Sequence, residues 1–448
     1  MLASQAPQKV PGQNLSGDPD QREPVGEQES IHSTTIFTKD PEKSPGGPQF
    51  DPAPEGGVRA WLVAGAGATI FFCTLGFVNS FGTFVEYYAT HQLKNESQSR
   101  IAWIGSLASF LQFFSGMVAG PMFDRYGEKV IRPAAILYVF AMMMLSLCKN
   151  YWEIMLVQGV LMGIVMGFLQ FPTFAVVTHY FEKKRAAALG LTVSGSSIGG
   201  IVIPIALSKM LNGSSLGFGW TVRIIGFVIL PLCMFACVAI KARLPPRKTN
   251  FWLMDPLKDT RFCVLVLSMF FMFFGMFTPF FYLPTFAVSR GMSPTMSGYL
   301  LSILNAASTF GRIVPGMVAD KYGRVNIFGL GGIITGVVIF CMNSATSNAG
   351  LIVYAVFFGL SSGTIISGAS AALSICPKST RDVGTYMGMG MAVAGLGSLV
   401  GPPVNGAILK TYGGYFEVCM LSGALCAFGG FVALSAKRFS PEGVFSKA

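Results

Sequence analysis

The sequence predicts an all-α membrane protein, with twelve transmembrane helices in two pseudo-symmetric six-helix bundles. Three observations predict it. Of 448 residues, 52% are apolar and only 12% are charged, about half the charge of a soluble domain. Twelve apolar runs approach or exceed the about 20 residues that cross a bilayer core. One loop sequence also recurs, at a matching place, in the second half of the chain. So large an apolar excess does not fit inside one water-soluble core, which excludes a soluble enzyme, a disordered regulator and a disulfide scaffold.

Residues 1–59 hold nine of the 21 acidic residues together with Pro, Gln and Ser. Such a segment buries too little surface to offset chain entropy and is expected to be a disordered cytoplasmic tail; it lacks a signal-peptide pattern. The apolar runs follow at 61–85, 101–122, 132–148, 153–177, 187–208, 220–240, 262–287, 297–318, 325–345, 349–373, 384–408 and 415–435. They group into a first bundle at 60–240, a basic linker at 241–261, a second bundle at 262–436 and a tail at 437–448.

An even number of spans puts both termini on one side. Nineteen Lys and Arg lie in the C-terminal tail and the loops after even-numbered spans, against at most seven in the other loops. The richer side is therefore expected to be cytoplasmic. With no retention signal in view, the plasma membrane is the expected location. The sequons at Asn95 and Asn212 then face outward as glycosylation candidates.

Seven of the nine cysteines sit inside apolar runs, where a thiol acts as a small hydrophobe, and His32, His91 and His179 are scattered. No metal, cofactor or structural disulfide is expected. The net charge of +11 is spread over short loops rather than gathered in a basic domain, so no nucleic-acid partner is expected. Without a Gly-x-x-x-x-Gly-Lys-Ser/Thr loop, ATP-driven pumping by this chain has no basis. The expected partners are a small, anionic substrate and the lipid bilayer, with no obligate protein partner.

The recurring loop reads Gly120-Pro-Met-Phe-Asp124-Arg125-Tyr126-Gly127 after span 2 and Gly316-Met-Val-Ala-Asp320-Lys321-Tyr322-Gly323 after span 8, 196 residues later. Its glycines permit close helix ends and a tight turn, its Asp suits a neighbouring helix N-terminus, and its cations suit lipid headgroups. A second echo pairs Gly195-x-x-x-Gly199 in span 5 with Gly397-x-x-x-Gly401 in span 11. Gating is assigned to Asp124, Arg125, Gly127, Asp320, Lys321 and Gly323. Pro402-Pro403 is expected to break or bend span 11 as a further gating element, and Pro279 and Pro284 to do likewise in span 7.

The doubled loop resembles the signature of the major facilitator superfamily, whose two six-helix halves rock about a central cavity. Glu55-Gly56-Gly57-Val58-Arg59-Ala60-Trp61 is similar to the first motif of its monocarboxylate porter family. Tyr180-Phe181-Glu182-Lys183-Lys184-Arg185, running on to Gly195, is similar to the second. The stretch 76–82 and Leu304 to Gly316 resemble the fungal branch of that family. The resemblance spans all twelve runs and implies secondary transport by alternating access.

Arg312 is the one charge well inside a span, where an arginine costs about 2.5–3.5 kcal/mol on insertion scales. Either it snorkels toward headgroups or, as the resemblance implies, it faces the cavity and pairs with a substrate carboxylate through two parallel hydrogen bonds. Asn305 lies two turns earlier on much the same face. Asn79, Gln170 and Tyr282 are further candidate substrate contacts, each equally readable as a helix–helix hydrogen bond. Ser194, Ser196 and Ser197 read as a packing surface.

The chain also departs from the family. Ser308 stands where animal members carry an aspartate, and Gly82 and Thr83 stand where they carry a lysine. No Asp or Glu lies deep in a span, which leaves the coupling ion open. Phe270, Phe271, Phe273, Phe274, Phe280, Phe281 and Phe286 of span 7 face either lipid or a bulky, flat substrate. The expected function is secondary transport of a small organic acid or a carboxylated secondary metabolite. The alternatives are an efflux pump for a larger fungal secondary metabolite and a transporter-fold nutrient sensor. A membrane enzyme would need a buried His, Asp or Glu cluster, so the chain is read as not an enzyme.

Overall fold

The computed structural model describes residues 53–96, 98–212, 214–245 and 254–439, all within the compact unit Asp51–Ala448. Most of the expected N-terminal tail, much of the linker at 241–261 and most of the C-terminal tail lie outside the described residues.

Twelve helical segments follow in order. The first six are α1 (Gly57–Cys73, continued by Leu75–Val78 and Phe81–Thr90), α2 (Gln98–Phe114 and Gly116–Tyr126), α3 (Ile131–Leu145), α4 (Tyr151–Ile154, Met155–Leu161 and Met162–Thr178), α5 (Arg185–Asn212) and α6 (Gly217–Ala239). The second six are α7 (Thr260–Ser289), α8 (Pro294–Tyr322), α9 (Arg324–Phe340), α10 (Asn348–Leu373), α11 (Val383–Tyr412) and α12 (Phe416–Ser435). Among the described residues nine helices are long and apolar enough to cross a membrane. The other three are α2, interrupted at Ser115, the 15-residue α3, and α8, which carries Arg312.

Local chemistry sets the helix ends. Asp259, Ser293 and Ser347 accept from backbone N–H groups in the first turns of α7, α8 and α10. Gly127 and Gly323, at φ 65° and 102°, end α2 and α8 in backbone conformations that favour glycine. They are the last glycines of the two repeated loops.

Small residues set the packing, as expected where lipid removes the hydrophobic drive between helices. In the first half a Cβ on Gly195 or Gly199 would collide with the backbone of α1 at Ala68 or Phe72. In the second half Gly397 and Gly401 meet α7 at Phe270 and Phe274 in the same way. Both partners are displaced by 202 residues, so α1–α5 and α7–α11 are equivalent pairs. Two further pairs join the halves: α2 with α11, through Gly120 against Gly384 and Gly388 against Gly116, and α8 with α5, through Gly316 against Ala186 and Gly190 against Arg312.

Span 1 carries interruptions within its apolar run, and the break expected at the prolines is absent. Span 1 is not one uninterrupted helix: it breaks at Thr74 and again at Asn79–Ser80 before running on to Thr90. The Thr74 and Ser80 hydroxyls donate to the carbonyls of Ile70 and Gly76, a back-bonding that bends helices. Pro402-Pro403 does not break span 11, and Pro279 and Pro284 do not break span 7; α11 and α7 run unbroken through them. Near the proline pair the buried Asn405 donates to Thr278 of α7 at 2.7 Å and accepts from Ser422 of α12, and Tyr282 donates to the Pro402 carbonyl at 2.7 Å. These ties hold the helix where two N–H groups are missing.

Candidate functional site

A cavity of about 370 Å³ lies between the halves. Its walls come from α1, α2, α4 and α5 and from their counterparts α7, α8, α10 and α11, while α3, α6, α9 and α12 contribute nothing to it. Eight phenylalanines line it, including Phe273, Phe277, Phe280 and Phe281 of α7 and Phe71, Phe81, Phe113 and Phe174 from the first half. Its polar groups are few: Asn79, Ser109, Gln170, Ser196, Asn305 and Arg312.

Arg312 does not snorkel. It is 2% exposed and reaches from α8 across to α5, where Nη1 donates to the Val193 carbonyl at 3.0 Å and to the Ser196 hydroxyl. Its Nε has no hydrogen-bond partner among the described residues, although every buried N–H normally finds one. No carboxylate forms an ion pair with it among the described residues. In the repeat, Arg312 occupies the place of Gly116, where α2 and α11 touch backbone to backbone.

Asn79 sits at the interruption of α1 and donates at 3.4 Å to both the Asn305 side chain and the Ser196 carbonyl, long contacts that tie α1, α5 and α8 loosely. Asn305 also donates to Leu301. Gln170 lines the cavity while donating to Thr74 at 2.8 Å. Tyr282 is the candidate that the structure removes: its hydroxyl goes to the Pro402 carbonyl and it is not part of the cavity wall. Sequence reasoning read Ser196 as packing surface and overlooked the first-half phenylalanines. Ser196 stands within Gly195-Ser-Ser-Ile-Gly199, a packing signature that gave no separate hint of a contact 116 residues away.

The two repeated loops tie the halves together. Asp124 is 5% exposed and caps α11, accepting from the N–H groups of Gly384 and Thr385 at 3.1 and 2.7 Å and from the Thr385 hydroxyl at 2.6 Å. Asp320 caps α5, accepting from Ala186 and Ala187 N–H at 2.9 and 2.8 Å. Each carboxylate thus meets the positive end of a helix from the opposite half. Arg324 pairs with Asp320 at 3.2 Å and donates to the Glu182 carbonyl. Arg125 and Lys321 are exposed and lie over the Tyr126 and Tyr322 rings.

The two motifs flagged near α1 and α5 are contacts of one another. The Glu55 carboxylate accepts from the backbone N–H groups of Glu182 and Lys183 at 2.7 Å and of Lys184 at 3.1 Å, and Trp61 packs on Phe181 at 4.9 Å. Glu55 therefore braces the loop whose next residues Asp320 caps.

Of the sequons, Asn95 is exposed, but Ser97 lies outside the described residues, as does the Asn212 side chain. Among the described residues no His, Cys, Asp and Glu group is arranged to hold a metal.

Two repeated six-helix bundles around a shared cavity, tied together by paired capping loops, define a membrane transporter. The Major Facilitator Superfamily profile matches residues 66–371 and 265–445, and the chain belongs to that superfamily. It is 48% identical over 399 residues to the aspyridones efflux protein apdF of Emericella nidulans, covering 89% of this chain and 82% of that one. It is 38% identical over 405 residues to the agnestins efflux protein AgnL12 of Paecilomyces divaricatus, covering 89% and 92%. Among solved structures it superposes on the human organic anion transporter MFSD10 with a TM-score of 0.70 at 15% identity, covering 84% of this chain and all of that one. FucP, in the outward conformation, gives 0.66 at 15% identity, covering 85% and 98%. The chain is a transporter rather than an enzyme.

Proposed function

We propose that the protein exports an amphipathic, aromatic secondary metabolite. The observation that carries this reading is the cavity wall, where eight phenylalanines surround one polar corner formed by Arg312, Asn79, Asn305 and Ser196. Flat rings gain area and edge-to-face contacts from such a wall. The unpaired Arg312 Nε is a donor for an acidic or carbonyl oxygen on the same molecule. Relatives named for the efflux of aspyridones and of agnestins support the reading. In it the Asp124 and Asp320 loops form the cytoplasmic gate, and the Lys and Arg bias supports both termini lying on that side of the plasma membrane.

Metabolite profiles of cells with and without the protein test this. Loss should raise an aromatic product inside the cells and lower it in the medium; an unchanged distribution would refute export.

A second reading, carriage of a small monocarboxylate, is favoured by one observation, the lone guanidinium facing the cavity. Proteoliposome uptake of labelled lactate would support it. Export of aromatic metabolites with no lactate flux would remove it.

A further inference from the structure

The repeat is not symmetric outside the cavity. Between α2, α3 and α4 runs an apolar groove of about 600 Å³, walled by Met122, Pro133, Leu137, Ile164 and Phe168 and ending at Tyr126 and Lys129. Arg125 and Arg132 adjoin its lining residues Tyr126 and Pro133 in the chain. All three cations are exposed, and none forms an ion pair among the described residues. The two acids of this loop are engaged elsewhere: Asp124 caps α11, and Glu128 accepts from the Ala242 N–H at 3.1 Å.

The second-half loop differs. At a displacement of 196 residues, Lys129 and Arg132 correspond to Val325 and Phe328, both fully buried, and Glu128 corresponds to Arg324, which pairs with Asp320. The first-half loop thus sets three exposed cations beside an apolar channel, of which only Arg125 has a basic counterpart, Lys321, in the second-half loop.

We propose that this groove binds an anionic glycerophospholipid, with one acyl chain along α3 and α4 and the phosphate held by Lys129, Arg132 and Arg125. The apolar walls suit a hydrocarbon chain. The cations sit where a headgroup must lie, at the loop that ends two membrane helices. Because α2 also carries Asp124, an occupied groove braces a helix that ties the halves together.

Native mass spectrometry of the full-length protein with dioleoyl phosphatidylinositol or dioleoyl phosphatidylcholine tests the assignment. Phosphatidylinositol should be retained preferentially. The exposed-surface variant Lys129→Gln/Arg132→Gln should lower that preference by about fivefold per charge removed. Leu137→Trp, which fills the groove, should displace both lipids while the charges remain. Equal retention of the two lipids by the unaltered protein, or preference undiminished in the charge variant, overturns the proposal. So does equally tight binding of glycerophosphoinositol, which has no acyl chains.

Discussion

Arg312 carries the largest electrostatic cost in the membrane body and two of the bonds that offset it. Lysine keeps the charge but loses the planar fork, so it cannot serve α5 and a ligand together. Losing one hydrogen bond to a charged group costs about 1.5–3 kcal/mol. Arg312→Lys should therefore lower transport of the substrate about 10- to 100-fold at normal surface expression; wild-type flux in proteoliposomes would remove Arg312 from the site. His179, just past α4, makes a second prediction. Burial, with Arg185, Arg243 and Arg381 adding to it, pushes its imidazole down to about 3. Its Nδ1 is buried without a partner among the described residues, and its other near neighbours are Phe123 and Asp124. The unfolded chain binds this proton from near pH 6.5 downward and the folded protein does not, so stability is lost as pH falls from about 6.5 toward 3. His179→Gln should flatten that part of a thermal-stability profile, and an unchanged acid slope would count against the assignment. At this scale the sequence was partly legible. Arg312 stood out because no other charge lies deep in a span. The partnership of Glu55 with the loop 127 to 129 residues away did not, because only folding brings the two motifs together.

The elements are governed by backbone approach. α2 against α11 and α8 against α5 meet through glycines placed so that an added methyl strikes a carbonyl on the partner helix. Overpacking of this kind costs about 1–3 kcal/mol. Gly388→Ala should thus hold α11 off α2 and disfavour the closed seam while leaving each half folded. Its signature is faster alkylation of a cysteine at Val193, in a background lacking the exposed Cys263 and Cys341; wild-type labelling would show that the seam tolerates the methyl. The helices themselves were readable from apolar run length, and all twelve runs have a helical counterpart. The interruptions of α1 and the continuity of α7 and α11 through four prolines were not readable. Each depends on hydrogen bonds chosen locally by Thr74 and Ser80 or supplied across helices by Tyr282 and Asn405.

At the scale of the molecule, two carboxylates each cap a helix of the opposite half, so the halves are joined at this end by a pair of equivalent charge–dipole contacts. Removing one, as in Asp124→Asn, should shift the population toward states open at the loop side without abolishing ligand binding. Reagent entering from that side should label the Val193 cysteine faster, with affinity kept; collapse of affinity would contradict a gating role. We take 60–240 and 262–436 as separately folding halves. Chains divided within the linker at 241–261 and expressed together should then recover transport, whereas failure to reassemble would argue for one cooperative unit. Taken alone, the sequence determined the membrane class, the doubling of the bundle and the guanidinium of Arg312 deep in a span. Each follows from composition, period or spacing, which survive in one dimension. The tertiary structure alone decided which groups face the shared cavity, that Tyr282 leaves it while Ser196 enters it, and which helix each aspartate caps. Those outcomes depend on helix rotation and on contacts between residues more than a hundred positions apart, where the transfer of one hydrogen bond outweighs any local propensity.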